Sequence, residues 1–468
     1  IVTGDSLAAA SFPDVTGHAG NFRVTADTLS FKDVVISTEA FVSLTNVQSA
    51  GDITWNVRDI NLKDSAIHAG GARRGGAVTL NFDSLFTDFS FFETWTIAGP
   101  GGGITAQGRS IDLTNGSKVI ATTIGNGDAG GISLTATEQV TLSGRSSANP
   151  SPFSEFSPTG LFSNAFGDFG EGSLGAAGDI TVTTPRLTLD TGGRINSITN
   201  SSGRGGNVTI NANVVSMSGE FTGPFYVIEG TIVDIGDFRP SGIFTRTIGG
   251  GESCSGVCGN GGNVTMTVGS LTMGAGSQID SGTSSSGQSG AITINAGDAI
   301  SLSGKLSDGS PAGVFSRSTS TDPDAGSGGN IALTAGQSVT ISNGAAVSAS
   351  STGPGNAGNI SIDAGQRFDM RNSSVTTEAS QASGGNIDIK AVDRVHLVNS
   401  TISTSVEGGP TTTSGNIAID PNVVILQNSQ ILAQATNGNG GNISIITPLF
   451  LANVTSLVDA SSQFGLSG

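Results

Sequence analysis

Apolar and polar residues alternate over short segments in much of the chain. One unit alternates Ile387 and Ile389 with polar residues, and its next two segments place Leu397 and Ile402 in the same way. Alternation with period two is typical of a β-strand that buries one face. Turn residues such as Asn399-Ser400 separate the segments. The pattern predicts three short strands per unit, each with one or two apolar side chains in a core.

A motif of Gly, often followed by Asn and then by an apolar residue, recurs along the chain. Successive copies lie 25–31 residues apart, except for three longer intervals that begin at Gly131, Gly206 and Gly290. Repeats of this length indicate a solenoid, in which each unit packs on its neighbours. The copies begin at Gly20, Gly51, Gly76, Gly103, Gly131, Gly178, Gly206, Gly262, Gly290, Gly329, Gly358, Gly385, Gly415 and Gly441.

These two patterns predict an all-β fold, a right-handed parallel β-helix of about fourteen coils with three short strands in each. The right hand follows from the usual crossover preference of parallel strands. A propeller blade would need about 40–50 residues and four strands. A sandwich would not repeat an anchor at near-constant spacing. We therefore expect one solenoid over residues 1–468.

The Asn residues of the repeated motif have a structural interpretation. Equivalent Asn side chains in stacked coils can form a hydrogen-bonded ladder at a bend. We expect this role, rather than ligand binding, for Asn207, Asn263, Asn330, Asn359, Asn386, Asn416 and Asn442.

The three long units are all expanded after their second predicted strand. We expect loop insertions at 145–175, 219–260 and 304–327, on one face of the solenoid, where insertions often form a binding surface. Two hypotheses explain their aromatic residues: the rings pack the loops onto the coils, or they form an exposed patch for a partner. The candidate binding residues are Phe153, Phe156, Phe162, Phe166, Phe225, Tyr226, Phe238, Phe244 and Phe315.

The two cysteines of the chain, Cys254 and Cys258, are separated by three residues. This spacing can close a small disulfide, which would indicate an oxidising compartment outside the cytoplasm. A redox-active pair is the alternative. Zinc would need about four ligands, so we predict no metal site here.

A second aromatic cluster occurs in a unit of ordinary length. We expect it to stack within the core, and a binding site is the alternative. Its members are Phe82, Phe86, Phe89, Phe91, Phe92 and Trp95.

Composition narrows the class of protein further. The chain has 71 Gly in 468 residues, only 12 % charged residues and a net charge of −17. Helices need more Leu, Lys, Glu and Arg than this. An acidic protein does not suit nucleic acid or an anionic membrane, so neither is an expected partner. The first residues, Ile1 to Asp5, lack the features of a signal peptide. We expect that a targeting segment has been removed or that the chain is an interior fragment.

Candidate catalytic chemistry is sparse. His18, His68 and His396 fall in different units, and no nucleophile elbow or phosphate-binding loop is present. The calcium-binding repeat of Gly, Gly and Asp is also absent. We predict no enzyme activity, no cofactor and no catalytic residue.

Two segments resemble a known family. The unit that begins Gly329-Asn330-Ile331-Ala332-Leu333 and the ending 457–465 are similar to filamentous-haemagglutinin-like exoproteins of two-partner secretion, most of all the versions abundant in cyanobacteria. The resemblance covers roughly residues 100–468. It implies a right-handed β-helix exported through an outer-membrane barrel partner to the outer surface of a Gram-negative-type bacterium, and an adhesive role. The amino-terminal secretion domain of the family is not visible in this sequence.

Three functions follow as hypotheses. The first is a secreted or cell-surface adhesin or structural exoprotein that contacts a glycan or protein. The second is a self-assembling filament or sheath subunit that associates end to end. The third is a polysaccharide-processing β-helix enzyme.

Overall fold

The protein is an all-β solenoid in which parallel strands stack in about 13 coils, as the repeat predicted. The computed structural model describes residues 2–3, 6–8, 18–40, 48–144, 158–166, 175–200, 202–220, 227–228, 231–232, 240–248 and 258–465. Contacts divide the chain into two compact units, each of which contains several of the repeats described above. The first unit comprises Ile1–Asn213, Met217–Phe244 and Gly251–Gly259, and the second comprises Val214–Ser216, Thr245–Gly250 and Asn260–Gly468.

The strands up to residue 244 are, in chain order, β1 (Val2–Thr3), β2 (Ser6–Ala8), β3 (Phe22–Lys32), β4 (Val35–Ser37), β5 (Ile53–Lys63), β6 (Ala66–His68), β7 (Val78–Asn81), β8 (Ser84–Asp88), β9 (Phe91–Thr96), β10 (Ile104–Thr114), β11 (Lys118–Thr123), β12 (Ile132–Ser143), β13 (Gly160–Ala165), β14 (Ile180–Asp190), β15 (Arg194–Asn196), β16 (Val208–Ser218), β17 (Val227–Ile228), β18 (Thr231–Ile232) and β19 (Ser241–Phe244).

The strands that follow are β20 (Val264–Met273), β21 (Ser277–Asp280), β22 (Ile292–Ala296), β23 (Ala299–Ser303), β24 (Gly313–Phe315), β25 (Ile331–Ala335), β26 (Ser338–Ser342), β27 (Ala346–Ser348), β28 (Ile360–Asp363), β29 (Arg367–Arg371), β30 (Ser374–Thr376), β31 (Ile387–Lys390), β32 (Arg394–Val398), β33 (Thr401–Ser403), β34 (Ile417–Asp420), β35 (Val423–Gln427), β36 (Gln430–Leu432), β37 (Ile443–Ile445), β38 (Leu449–Ala452) and β39 (Leu457–Asp459).

The predicted three strands per coil are present in the second unit from β22 onwards, whereas β20 joins the first two strands of its coil. One coil consists of β28, β29 and β30, and each strand pairs in parallel with its equivalent in the next coil. In most coils of the first unit, the first two strands instead join into one strand of 11 or 12 residues, such as β10 and β12. The third strands pair with one another and not with the first two strands of their coils, and we call the sheet that they form the third-side sheet.

The core consists of columns of apolar side chains in register. Ile389 lies opposite Ile362 of one neighbouring coil and Ile419 of the other, and it is fully buried. An aromatic stack fills the core of the first unit, where Trp55 makes edge-to-face contacts with Phe31 and Phe92, with ring centroids 6.0 Å apart in both pairs.

The repeated glycines stack directly on one another. A Cβ atom on Gly385 would lie 1.9 Å from the carbonyl oxygen of Gly358, and one on Gly130 would lie 1.9 Å from that of Gly102. The predicted anchors at Gly103 and Gly131 are therefore displaced by one residue. Gly102 and Gly130 occupy the stacked position, because the coils are aligned by the pairing of Ile104 with Ile132.

Beside the glycines, the predicted Asn residues form a ladder whose acceptors are side chains and whose donors are backbone groups. The backbone N–H of Asn386 donates to Oδ1 of Asn359 at 2.8 Å, and the N–H of Asn416 donates to Oδ1 of Asn386 at 2.8 Å. The same bond joins Asn359 to Asn330 and Asn442 to Asn416. Two members differ. Asn263 accepts from Ala291, and the N–H of Asn207 donates to Asp179.

A second Asn ladder was not predicted. Asn372, Asn399 and Asn428 have φ angles near +50°, a left-handed conformation that Asn tolerates. Their side-chain amides bond from coil to coil, with Asn399 Nδ2 donating to Asn372 Oδ1 at 3.1 Å. The sequence marked these positions as turns, and the regular spacing of the Asn-Ser pairs was the available signal.

The predicted loop ranges require a correction. Each contains the third strand of its own coil, because β13, β19 and β24 pair in register with third strands of neighbouring coils. Insertions therefore precede and follow these strands. Most of the first two insertions lies outside the described residues. The third includes a small turn at 304–312, closed by an antiparallel bridge between Lys305 and Pro311.

Candidate binding surface

Five of the predicted binding residues lie outside the described residues. These are Phe153, Phe156, Phe225, Tyr226 and Phe238. The predicted cysteine pair is also only partly described. Cys258 is disulfide-bonded, and Cys254 lies outside the described residues.

Phe244 and Phe315 do not belong to an exposed patch. Their exposed fractions are only 2 % and 1 %. An arginine covers each ring, with the Arg194 guanidinium 5.3 Å from the centroid of Phe244 and the Arg317 guanidinium 4.3 Å from that of Phe315. Their burial argues against an exposed patch for a partner at these two positions. They pack against cationic side chains, which favours the packing hypothesis at both positions.

Phe162 and Phe166 are partly exposed. Phe162 lies in β13 between the buried residues Leu161 and Ser163, so its ring points away from the core. The ammonium group of Lys118 lies 5.8 Å from the ring centroid of Phe162 and 5.8 Å from that of Phe91. Phe162 thus belongs to an outer surface that the sequence did not single out.

The second aromatic cluster is mostly outside the core. Only Phe92 is buried there, while Phe86 is 42 % exposed. The expectation of core stacking is therefore wrong for the remaining four residues too, since they are partly exposed: Phe82, Phe89, Phe91 and Trp95. The physical reason is strand alternation, which turns Phe91 and Trp95 of β9 away from the core that Phe92 enters.

The outward side chains of β9 and its neighbours form a cluster on the third-side sheet of the first unit. Strand β9 pairs with β6 and β11, which places Glu93 opposite both His68 and Ile120, and Phe91 opposite Lys118. We call this cluster the Trp95 surface. Its members are Glu39, His68, Gly70, Phe91, Glu93, Trp95, Lys118 and Phe162.

Trp95 is held in one orientation across this surface. Its Nε1–H donates to Oε1 of Glu39 at 2.9 Å, a contact between residues 56 positions apart in the chain. The indole passes over Gly70, where a Cβ atom would lie 1.7 Å from Nε1. Glu39 is itself positioned by Ser37, whose hydroxyl donates to Oε2 at 3.1 Å. The absence of a side chain at Gly70 therefore allows the indole to lie against the sheet.

His68 and Glu93 lie beside the indole and are opposite each other in adjacent coils. Nδ1 of His68 is 3.0 Å from Oε2 of Glu93. Burial alone would lower the pKa of His68. The hydrogen bond to Glu93 and the negative charges of Glu93 and Glu39 outweigh it, so the pKa is raised above its usual value.

Lys118 lies at the other end of the Trp95 surface. Burial lowers its pKa to about 7, although the nearby Glu93 carboxylate acts in the opposite direction. The Trp95 surface therefore combines one fixed indole, two carboxylates whose oxygens accept hydrogen bonds, an imidazole and an amine of low basicity.

Within the described residues, no group of three or more His, Cys, Asp or Glu side chains is placed to hold a metal ion. The described residues also include no helix long and apolar enough to cross a membrane.

Comparisons with known proteins do not identify this chain. No protein-family model, no curated protein and no solved structure matches it.

Proposed function

We propose that this protein is a secreted or cell-surface β-helical exoprotein with an adhesive or structural role. The observation that carries the proposal is the stacked solenoid itself, whose strands pair in register from coil to coil. Such a scaffold displays outward side chains in columns about 4.8 Å apart. A partner can therefore contact side chains from several coils at once.

The resemblance to filamentous-haemagglutinin-like exoproteins supports the same proposal. It adds a route, export through an outer-membrane barrel partner, and a location on the outer surface of a Gram-negative-type bacterium. The partner in adhesion is then a glycan or a protein on a cell or matrix surface. We propose no catalytic activity, and incubation with a panel of polysaccharides should release no product.

Attachment of the producing cells tests the adhesive role. Deleting the gene should reduce attachment to surfaces, and restoring it should recover attachment. A complementing copy that encodes Gly409→Ala is the matched control and should also recover attachment, because a Cβ atom at that position meets nothing within 4 Å. Equal attachment of deleted and parental cells would contradict an adhesive role and leave the structural role, which electron microscopy of the cell surface would test.

A further inference from the structure

We infer that the Trp95 surface binds a pyranose ring of a glycan, with the sugar stacked on the indole of Trp95. This inference deepens the proposed adhesive function by naming a ligand class and a site, and in that sense it rests on it. Binding by the purified protein can nevertheless be measured independently of where the protein is located.

The indole of Trp95 is held in one orientation. Trp95 is partly exposed, and the hydrogen bond to Glu39 and the contact over Gly70 fix it against the sheet. Because one side of the ring lies against the backbone at Gly70, just beyond β6, the exposed area lies on the side away from the sheet. A flat aromatic surface of this kind packs well against the C–H groups on one face of a pyranose. Its rigidity also reduces the entropy lost on binding.

Polar groups lie around the indole ring. Glu93 is two residues from Trp95 in β9 and is on the same outer face. His68 lies opposite Glu93 in β6. Their carboxylate and imidazole can bond to sugar hydroxyl groups, which both donate and accept. A few polar groups around an apolar platform are the usual composition of a small-molecule site.

The main alternative ligand is an organic cation, which the charge of Glu39 would attract because its hydrogen-bond donors, Trp95 and Ser37, are neutral. Two basic groups of the surface act against it, and the first is His68, which already pairs with Glu93. The second is the amino group of Lys118, which already faces the rings of Phe91 and Phe162 and is partly protonated at neutral pH, since its pKa is about 7. A neutral, hydroxyl-rich ligand therefore suits the surface better than a second cation.

The test is titration calorimetry of the purified full chain with a panel of neutral gluco-, galacto-, manno- and N-acetylglucosamine oligosaccharides. We expect the wild type to bind at least one of them, and Trp95→Ala to weaken that affinity by about tenfold or more. Gly70→Ala should weaken it as well, since the new methyl group displaces the indole. Phe86→Ala removes an exposed aromatic ring from another sheet and should leave the affinity unchanged.

Two further variants make the result specific. Trp95→Leu keeps an apolar cover over Gly70 without an aromatic face, so it tests the stacking if Trp95→Ala fails to fold. Glu39→Gln keeps an acceptor for Nε1 of Trp95 and removes the charge, so sugar binding should persist within about threefold. Tetramethylammonium is the cation probe, and binding of this ion that Glu39→Gln abolishes would overturn the inference in favour of a cation site.

Two other outcomes would also overturn it. One is unchanged sugar affinity in Trp95→Ala and Trp95→Leu. The other is the absence of binding by the wild type to every oligosaccharide in the panel. Either result would leave the proposed adhesive function standing if deletion of the gene still reduced attachment of the cells.

Discussion

Gly385 lies so close to Gly358 of the preceding coil that a Cβ atom on Gly385 would be 1.9 Å from the carbonyl oxygen of Gly358. The same contact is present between Gly415 and Gly385. The recurrent glycine of the sequence is thus required by close packing of backbone on backbone. The repeat is visible in the sequence because this contact recurs once in each coil.

Gly385→Ala should destabilise the second unit. The methyl group cannot be accommodated without moving one coil relative to the next, and overpacking of this kind costs about 1–3 kcal/mol. Gly409→Ala is the matched control, since a Cβ atom there meets nothing within 4 Å. Chemical unfolding of both variants should show a loss of stability for Gly385→Ala alone. Equal stability of the two variants would mean that the glycines do not stack as described.

Ile389→Asp should be the most damaging single change in the core. It places an unpaired charge between Ile362 and Ile419, at a cost of about 3–5 kcal/mol. Ile425→Asp is the same change at a partly exposed, outward position of β35, and we expect it to cost less than about 1 kcal/mol. Thermal unfolding that does not distinguish the two variants would show that the strand register is wrong.

Two side-chain acceptors of one coil, Ser400 Oγ and Asn386 Oδ1, should contribute unequally to the stability of the protein. Ser400 Oγ accepts the backbone N–H of Ser373 at 3.3 Å in a buried bond, whereas Asn386 Oδ1 accepts the N–H of Asn416 at an exposed position. Ser400→Ala leaves a buried donor without its acceptor, which costs about 1–3 kcal/mol. In Asn386→Ala, water can replace the lost acceptor, so the cost should be below about 1 kcal/mol. Denaturant unfolding of both variants tests this order, and a larger loss for Asn386→Ala would contradict it.

The His68–Glu93 pair should make the stability of the first unit depend on pH. The pKa of His68 is raised in the folded protein, so its contribution is fully present below the unfolded value of about 6.5. That contribution is lost as the pH rises through the folded pKa. Above a pH of about 6, the free energy of unfolding should therefore fall more steeply with rising pH in the wild type than in His68→Gln. Glu93→Gln removes the partner carboxylate and should also flatten the profile. Parallel profiles for all three proteins would exclude a role of the pair.

Most of the fold could be predicted from the sequence because its determinants are local and repeated. Ile389 and Asn386 each occur in a pattern that recurs in neighbouring coils, so their positions follow once the period is known. The displacement from Gly103 to Gly102 could not be predicted, since three consecutive glycines fit the motif equally well. The pairing of whole strands decides between them.

The candidate site was much harder to predict. Alternation along β9 could have placed Phe91 and Trp95 on the outside, but the high aromatic content suggested a core. The contact between Trp95 and Glu39 joins residues 56 positions apart, and no sequence pattern links them. Burial of Phe244 and Phe315 depends on which arginine side chains cover them, and that is settled only by the folded arrangement.

The most direct test of the proposed function is antibody labelling of intact, unpermeabilised cells that produce the protein, with the growth medium analysed in parallel. A secreted or surface-displayed exoprotein predicts labelling of intact cells, or protein in the medium, and loss of the cell-bound signal after external protease treatment. Signal that appears only after the cells are lysed, with none in the medium, would contradict the proposal.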